Sequence, residues 1–323
     1  MKTDQTAVKT GKPFEPSLRQ NKWNHTKKLM KANWALYLFL VPAVVYIGTF
    51  SYGPMYGIQL AFKTFVASKG IMGSPWVGLK WFSMFFSSAR FGQILWNTIS
   101  ISLYSLLIGF PIPIILALIL NNITNLKLKK FAQTVTYMPH FISVVVLIGM
   151  MSVFFSPNSG FVNTLLGALG VKPVYFMGEP SLFRHLYVWS GVWQSMGWSS
   201  IIYIAALSGV SPELHESAVI DGASRLKKIW HIDIPAIMPT MVILLILSCG
   251  QIMSVGYEKV YLMQNSLNLN VSEVISTYTY KIGLVQAEFG YSTAIGLFNN
   301  IINFTILLIV NKAAGRLSGS SLW

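Results

Sequence analysis

Six uncharged, mainly apolar runs partition the chain, at residues 34–62, 91–120, 131–156, 185–210, 236–256 and 289–310. Each is long enough to cross a bilayer as a helix, which takes about 20 residues. The runs are apolar on all sides, whereas membrane strands would alternate apolar and polar positions over about ten residues, so a barrel is excluded. The pattern predicts an all-α integral membrane protein with six transmembrane helices. Between the fourth and fifth runs it places a polar, helix-forming segment, residues 211–235.

The rest of the chain divides around these runs. Residues 1–31 form a polar, basic N-terminal tail broken by Gly11, Pro13 and Pro16, a composition that cannot bury a core; it is expected to be disordered. Toward its end, Trp23 with Lys27, Lys28 and Lys31 suits a short helix at the headgroup level. The first run is too long, and starts too late, to be a cleavable signal segment, so the tail is expected to stay on the mature protein. Residues 32–314 form the transmembrane domain, and 315–323 a C-terminal tail. The connections at 63–90, 157–184 and 257–288 are too short for separate domains. They are expected to hold short re-entrant or interfacial helices that receive an outside partner.

Composition agrees with this reading. Of 323 residues, 53% are hydrophobic and 11% charged, against about 25% charged in a soluble domain. The net charge of +14 raises the question of nucleic acid, but its distribution answers it. The N-terminal tail holds eight basic residues, the 121–130 loop three, the 211–235 segment three and the stretch after the last run two, Lys312 and Arg316, against eight in the other loops together. This two-to-one bias follows the positive-inside rule and places both termini and the 211–235 segment in the cytoplasm of a multi-pass plasma-membrane protein. A surface facing anionic membrane lipid accounts for the basicity, and no nucleic-acid partner is expected. Cys249 is the only cysteine, so intrachain disulfides and cysteine metal clusters are excluded.

The chain has no visible energy source. No phosphate-binding loop of the Gly-four residues-Gly-Lys-Ser/Thr form occurs, and none of the six runs carries Asp, Glu, Lys or Arg for ion coupling. His215-Glu216 begins like a zinc-protease helix, but Val219 stands where the second histidine is required. No catalytic residue, metal ligand or cofactor of its own is expected. Energy is expected to enter through another chain.

The 211–235 segment, SPELHESAVIDGASRLKKIWHIDIP, holds four of the ten acidic residues. Ser211-Pro212 is a helix start with Ser as N-cap and Pro at the first position, and Glu213 favours the positive helix end. Asp221-Gly222 reads as a break, and 223–232 as a second helix carrying Arg225, Lys227 and Lys228. A helix-turn-helix elbow parallel to the membrane is expected. Its Glu216-Ser217-Ala218, then Gly222, Ile232 and Ile234-Pro235, resemble the signature loop of permease subunits of binding-protein-dependent ABC importers, Glu-Ala-Ala, three residues, Gly, nine residues, Ile, one residue, Leu-Pro. Every spacing is kept; Ser217 and Ile234 are the departures. Asp221-Gly222-Ala223 and the upstream Trp193-Gln194-Ser195-Met196-Gly197-Trp198 resemble the carbohydrate-uptake branch, especially permeases for oligosaccharides.

The resemblance implies that the first elbow helix is a coupling helix seated on a cytoplasmic ATPase. Glu213, Glu216, Ser217, Ala218, Asp221, Gly222, Ala223 and Pro235 are its candidate coupling residues. It further implies an ATPase pair that binds the ATP, a homologous second permease and an extracellular solute-binding protein, with solute crossing by alternating access. A residue-by-residue alternative stays open: Glu216 facing solvent and Gly222 simply ending a helix.

Polar groups inside spans are costly unless paired or lining a wet path. Ser143, Gln194, Ser248, Gln251, Asn299, Asn300 and Asn303 qualify, with His140 near a span end; an interhelical hydrogen bond is the competing role for each. Trp193 and Trp198 beside Gln194 would offer a sugar a stacking surface with one amide handle, or anchor the span at an interface. Gly191 and Gly197 would allow close packing or a distortion there. Two other function classes remain in competition: a membrane enzyme or assembly factor that docks through the loop, and a secondary transporter, which the charge-free spans disfavour.

Overall fold

A computed structural model describes residues 18–319, 321 and 322, with the side chains of 18–22, 24, 317 and 318 left aside. The disorder expected for the tail falls largely outside these residues. The chain divides into two compact units at Gly57 and Ile58. Among the described residues secondary structure is helical throughout, the one extended contact being an isolated bridge between Lys63 and Trp76.

In the first unit, the expected headgroup-level segment is a helix, Leu18–Ala32, with Lys27 Nζ 5.2 Å from the centre of the Trp23 ring. The apolar Trp34–Phe62 helix starts in this unit and widens from α to π over Gly48–Tyr52.

The second unit carries the remaining runs. Among the described residues four helices are long and apolar enough to cross a membrane by themselves: Trp34–Phe62, Phe91–Asn121, Arg225–Cys249 and Phe289–Arg316. The third run departs from expectation. It is a bent pair, Leu126–Phe141 and Val144–Phe154, turned by 99°. The sequence supplies the break: Pro139 removes a backbone donor, and Ser143 starts the second helix as N-cap, its Oγ accepting from Val146 N at 3.3 Å. The fourth run lies in Pro180–Ser208, 29 residues and long enough to span, but diluted in hydropathy by Gln194, Ser195, Ser199 and Ser200. This arrangement is consistent with six crossings.

The fifth run also departs. Its helix stops at Cys249, and residues 250–256 are non-helical. At the other end the helix extends back to Arg225, so the second elbow helix is not a separate element. A π turn over Ile229–Asp233 joins it to the span, Ile234 N bonding to Ile229 O. Widening the ladder here accommodates Pro235, which has no N–H to give to the preceding turn. The last helix continues to Ser318 and ends at Gly319 with φ 67°, so the first four residues of the expected C-terminal tail are helical.

Pro180–Ser208 is the central strut, packing on Phe91–Gly109, Pro111–Asn121, Leu126–Tyr137 and Ile234–Cys249. One cluster, Ile114, Ala117, Leu118, Tyr203, Leu207 and Ile237, joins three of these helices. Between membrane helices such contact relies on close packing more than on water exclusion. Gly197 is where backbones meet: a Cβ there would collide with the Thr136 carbonyl. Of its two readings, close packing is the one the structure shows.

Candidate functional site: an exposed elbow and a polar cavity

The elbow is built by its turn. Pro212–Ile220 is helical, and Ser211 sits at its N-cap in an extended conformation, although its side chain makes no capping hydrogen bond. At the other end Gly222 takes φ 70°, Ala223 N donates to Ala218 O at 2.8 Å and Gly222 N to Val219 O at 3.0 Å. This pair of reverse bonds is a Schellman turn, which places its C′ residue in the left-handed region that glycine enters without strain. Ser224 then caps the next helix, its Oγ accepting from Lys227 N at 3.4 Å.

The elbow's outer surface is open. Glu213, Glu216, Ser217, Asp221 and Gly222 are exposed, Ala218 and Ala223 half-buried and Pro235 exposed. Among them stand large apolar side chains that no described residue covers: Leu214, Val219, Ile220, Leu226 and Trp230, with Ile220 at 86% exposure. Apolar side chains crowded on one polar-rimmed element mark a surface for a protein partner or for the membrane. One group on the elbow points the other way: His215 Nε2 lies 3.3 Å from Asp233 Oδ1, and Asp233 is 1% exposed.

Within the bundle, a cavity of about 420 Å³ opens between Phe91–Gly109, Pro180–Ser208, Ile234–Cys249 and the turn after it. Its size falls within the range of small-molecule sites, roughly 300–1,000 Å³. Ser102, Ser105, Ser199, Ser248, Gln251 and Ser254 give it an uncharged polar lining, and Tyr187 and Tyr203 add rings. Non-helical backbone at 250–256 fits a wet site, because exposed peptide groups are tolerated at membrane depth only where they line water or protein. The Gln251 amide has no hydrogen-bond partner among the described residues and is exposed, whereas Ser248 Oγ donates to Leu244 O at 2.8 Å.

The cavity brings together two path candidates, Ser248 and Gln251, and leaves others elsewhere. Gln194 Nε2 donates to Ile142 O at 2.7 Å, bracing the break in the bent pair. Ser143 caps the helix after that break. Asn303 takes Met253 N on its Oδ1 at 2.9 Å and donates to Ser254 Oγ at 2.9 Å, holding the 250–256 turn in place. Trp198 stacks on His140, ring centres 4.4 Å apart and planes 2° from parallel. Trp193 lines a separate, wholly apolar cavity of about 630 Å³ with Leu147, Met150 and Phe154. The two tryptophans and Gln194 therefore form no common stacking surface. Asn299 is half-buried with its Oδ1 unpartnered, and Asn300 is exposed; neither lines the polar cavity.

Sequence reasoning found Ser248 but missed Ser102, Ser105, Ser199 and Ser254, since small residues scattered through apolar runs give little signal. It also missed Lys259, outside the apolar helices, 9% exposed and without an acidic partner among the described residues. Its Nζ donates to Tyr187 O at 2.8 Å and lies 4.8 Å from the centre of the Tyr187 ring, while burial lowers the ammonium pKa to about 8.

A charge-poor helical bundle with an uncharged cavity and an exposed polar elbow is the architecture of a membrane permease. The chain belongs to the family described as binding-protein-dependent transport system inner membrane component, whose model matches residues 109–318. It is 40% identical over 288 residues to the polygalacturonan/rhamnogalacturonan transport system permease protein YteP of Bacillus subtilis (strain 168), covering 89% of this chain and 90% of the relative. It is 29% identical to the arabinooligosaccharides transport system permease protein AraP of the same organism, covering 97% of each. Its fold superposes with TM-score 0.84 and 38% identity on a chain from a crystal structure of a bacterial alginate ABC transporter in complex with alginate pentasaccharide-bound periplasmic protein, covering 91% of this chain and 99% of that one. The protein is thus a multi-pass permease of a binding-protein-dependent importer and a transporter rather than an enzyme.

Proposed function

We propose that this chain forms half of the path of an ATP-driven importer for oligosaccharides, and that residues 211–235 couple it to a cytoplasmic ATPase. The observation that carries the coupling role is the elbow itself. An apolar, acid-rimmed helix is held out from the bundle by a Schellman turn, with Leu214, Val219 and Ile220 uncovered. Glu216 and Glu213 would make charge-assisted contacts with the ATPase, and Gly222 would shape the turn. ATP is bound by the ATPase pair, a homologous second permease completes the path, and an extracellular binding protein delivers solute. In this reading both termini and the elbow face the cytoplasm, which the bias of basic residues supports.

The solute class follows from the relatives and the cavity together. The three relatives named above handle polygalacturonan/rhamnogalacturonan, arabinooligosaccharides and alginate. A cavity lined by serine hydroxyls, the Gln251 amide and tyrosine rings offers hydrogen bonds and flat faces without charge, a chemistry suited to sugars. Ser248 and Gln251 are the solute contacts in this reading.

Reconstitution tests it. The importer is purified through a tag on this chain, its companions are identified by mass spectrometry, and uptake of fluorescent oligosaccharides from digests of polygalacturonan, arabinan and alginate is measured in vesicles. ATP-dependent uptake of at least one digest that requires the binding protein is expected. Uptake driven by an ion gradient alone, or purification without an ABC ATPase, overturns the reading.

A further inference from the structure

The proposed coupling elbow meets the fifth span at a short turn, Asp221 to Ser224, and a turn of four residues centred on a glycine is a natural hinge. Movement delivered to the docking helix would be absorbed there unless a second connection ties the helix to the span. The structure holds one. His215, on the docking helix, places Nε2 3.3 Å from Oδ1 of Asp233, on the π turn that begins the span. The two residues lie 18 positions apart, on opposite sides of the turn.

Three features set this contact apart from an incidental surface pair. Asp233 is 1% exposed, and burying a carboxylate is costly unless it is paired. Its Oδ1 has no hydrogen-bond partner among the described residues, so His215 is what it faces. Arg225, Lys227 and Lys228 stand on the same helix as Asp233, yet none forms an ion pair with it among the described residues. His231 Nδ1 is engaged instead with Lys227 O at 3.0 Å. The buried carboxylate thus reaches across the turn and not along its own helix.

We propose that His215 and Asp233 form a latch that fixes the angle between the docking helix and the fifth span, so that the elbow passes on ATPase movement as one rigid lever. They are positioning residues: neither touches solute or nucleotide. The inference rests on the coupling role proposed for the elbow, and its test separates the two.

Spin labels are placed at Ile220→Cys and Leu247→Cys in a Cys249→Ser background of the complete importer, and their separation is measured without nucleotide and after trapping with ATP and vanadate. With the latch intact, each state gives one narrow distance distribution. His215→Ala is expected to broaden both at least twofold while ATP hydrolysis stays within twofold of the labelled parent. His215→Gln, which keeps an N–H donor, restores narrow distributions. His215→Ala combined with Asp233→Asn behaves as His215→Ala alone, since both remove one contact. His215 is partly exposed, so its variants report even if Asp233→Asn fails to assemble. Distributions in His215→Ala as narrow as in the parent overturn the latch. Purification of the parent without an ABC ATPase overturns the coupling reading instead, and the label distance in the full chain still decides the latch.

Discussion

Gly222 allows the coupling turn to be perturbed without disturbing anything packed against it. Its φ of 70° lies in the left-handed region, and a Cβ at this position would meet nothing within 4 Å. Substitution within this chain therefore costs conformational strain alone. For an ordinary side chain that strain is about 1–2 kcal/mol, less for Asn, which tolerates this region, and more for a β-branched residue. A cost of about 1–2 kcal/mol shifts the balance between formed and opened turn roughly 5- to 30-fold. If turn geometry governs coupling, ATP-driven uptake in vesicles falls in the order Gly222→Asn, Gly222→Ala, Gly222→Val, while membrane insertion is unchanged. If an ATPase surface also approaches Gly222 closely, Asn loses uptake as fully as Val, because its side chain meets the partner whatever its strain. Wild-type uptake and wild-type ATP stoichiometry in Gly222→Val would refute the reasoning.

Other residues give separate tests. Glu216→Ala is expected to lower uptake at least tenfold while the chain still inserts, read as uptake against membrane abundance. Gln194→Leu leaves the Ile142 carbonyl without its donor, a loss of about 1–3 kcal/mol; a lower melting temperature with unchanged solute preference is expected. Gln251→Ala should instead raise the solute concentration for half-maximal uptake without altering thermal stability. Gly197→Ala forces a methyl group into the Thr136 carbonyl and should prevent stable folding, seen as loss of the monodisperse peak in detergent. Lys259, with its pKa lowered to about 8 by burial, binds fewer protons folded than unfolded between that value and the ordinary one. Wild type should therefore gain stability on Lys259→Met as pH rises through this window, by at most about 3 kcal/mol.

The larger outline was legible because bilayers impose it. Apolar runs of sufficient length, the bias of basic residues and the residue types around Gly222 each follow from local chemistry, and helix, turn and exposure at the elbow match what they imply. What was hidden depends on contacts between distant segments. Ser143 was in view, but the 99° bend ahead of it is visible only once Gln194 from another helix braces Ile142. The same bond removes Gln194 from the expected sugar-stacking surface. Asp233 read as one more polar residue of the loop, since nothing in a sequence says that a carboxylate beside an apolar run is buried. His215 drew notice only as half of a zinc motif that failed. The second elbow helix merged with the fifth span because Pro235, read as a boundary, is absorbed by a π turn.

The central claim is that the elbow receives its drive from a nucleotide-hydrolysing partner in the cytoplasm. A photo-crosslinking amino acid at Val219, 58% exposed on the docking helix, tests this in intact cells. The account expects an adduct with an ABC ATPase subunit, identified by mass spectrometry and lost when that subunit is deleted. A Val219→Cys variant in a Cys249→Ser background labelled from outside by a membrane-impermeant maleimide, with no ATPase adduct formed, would contradict it.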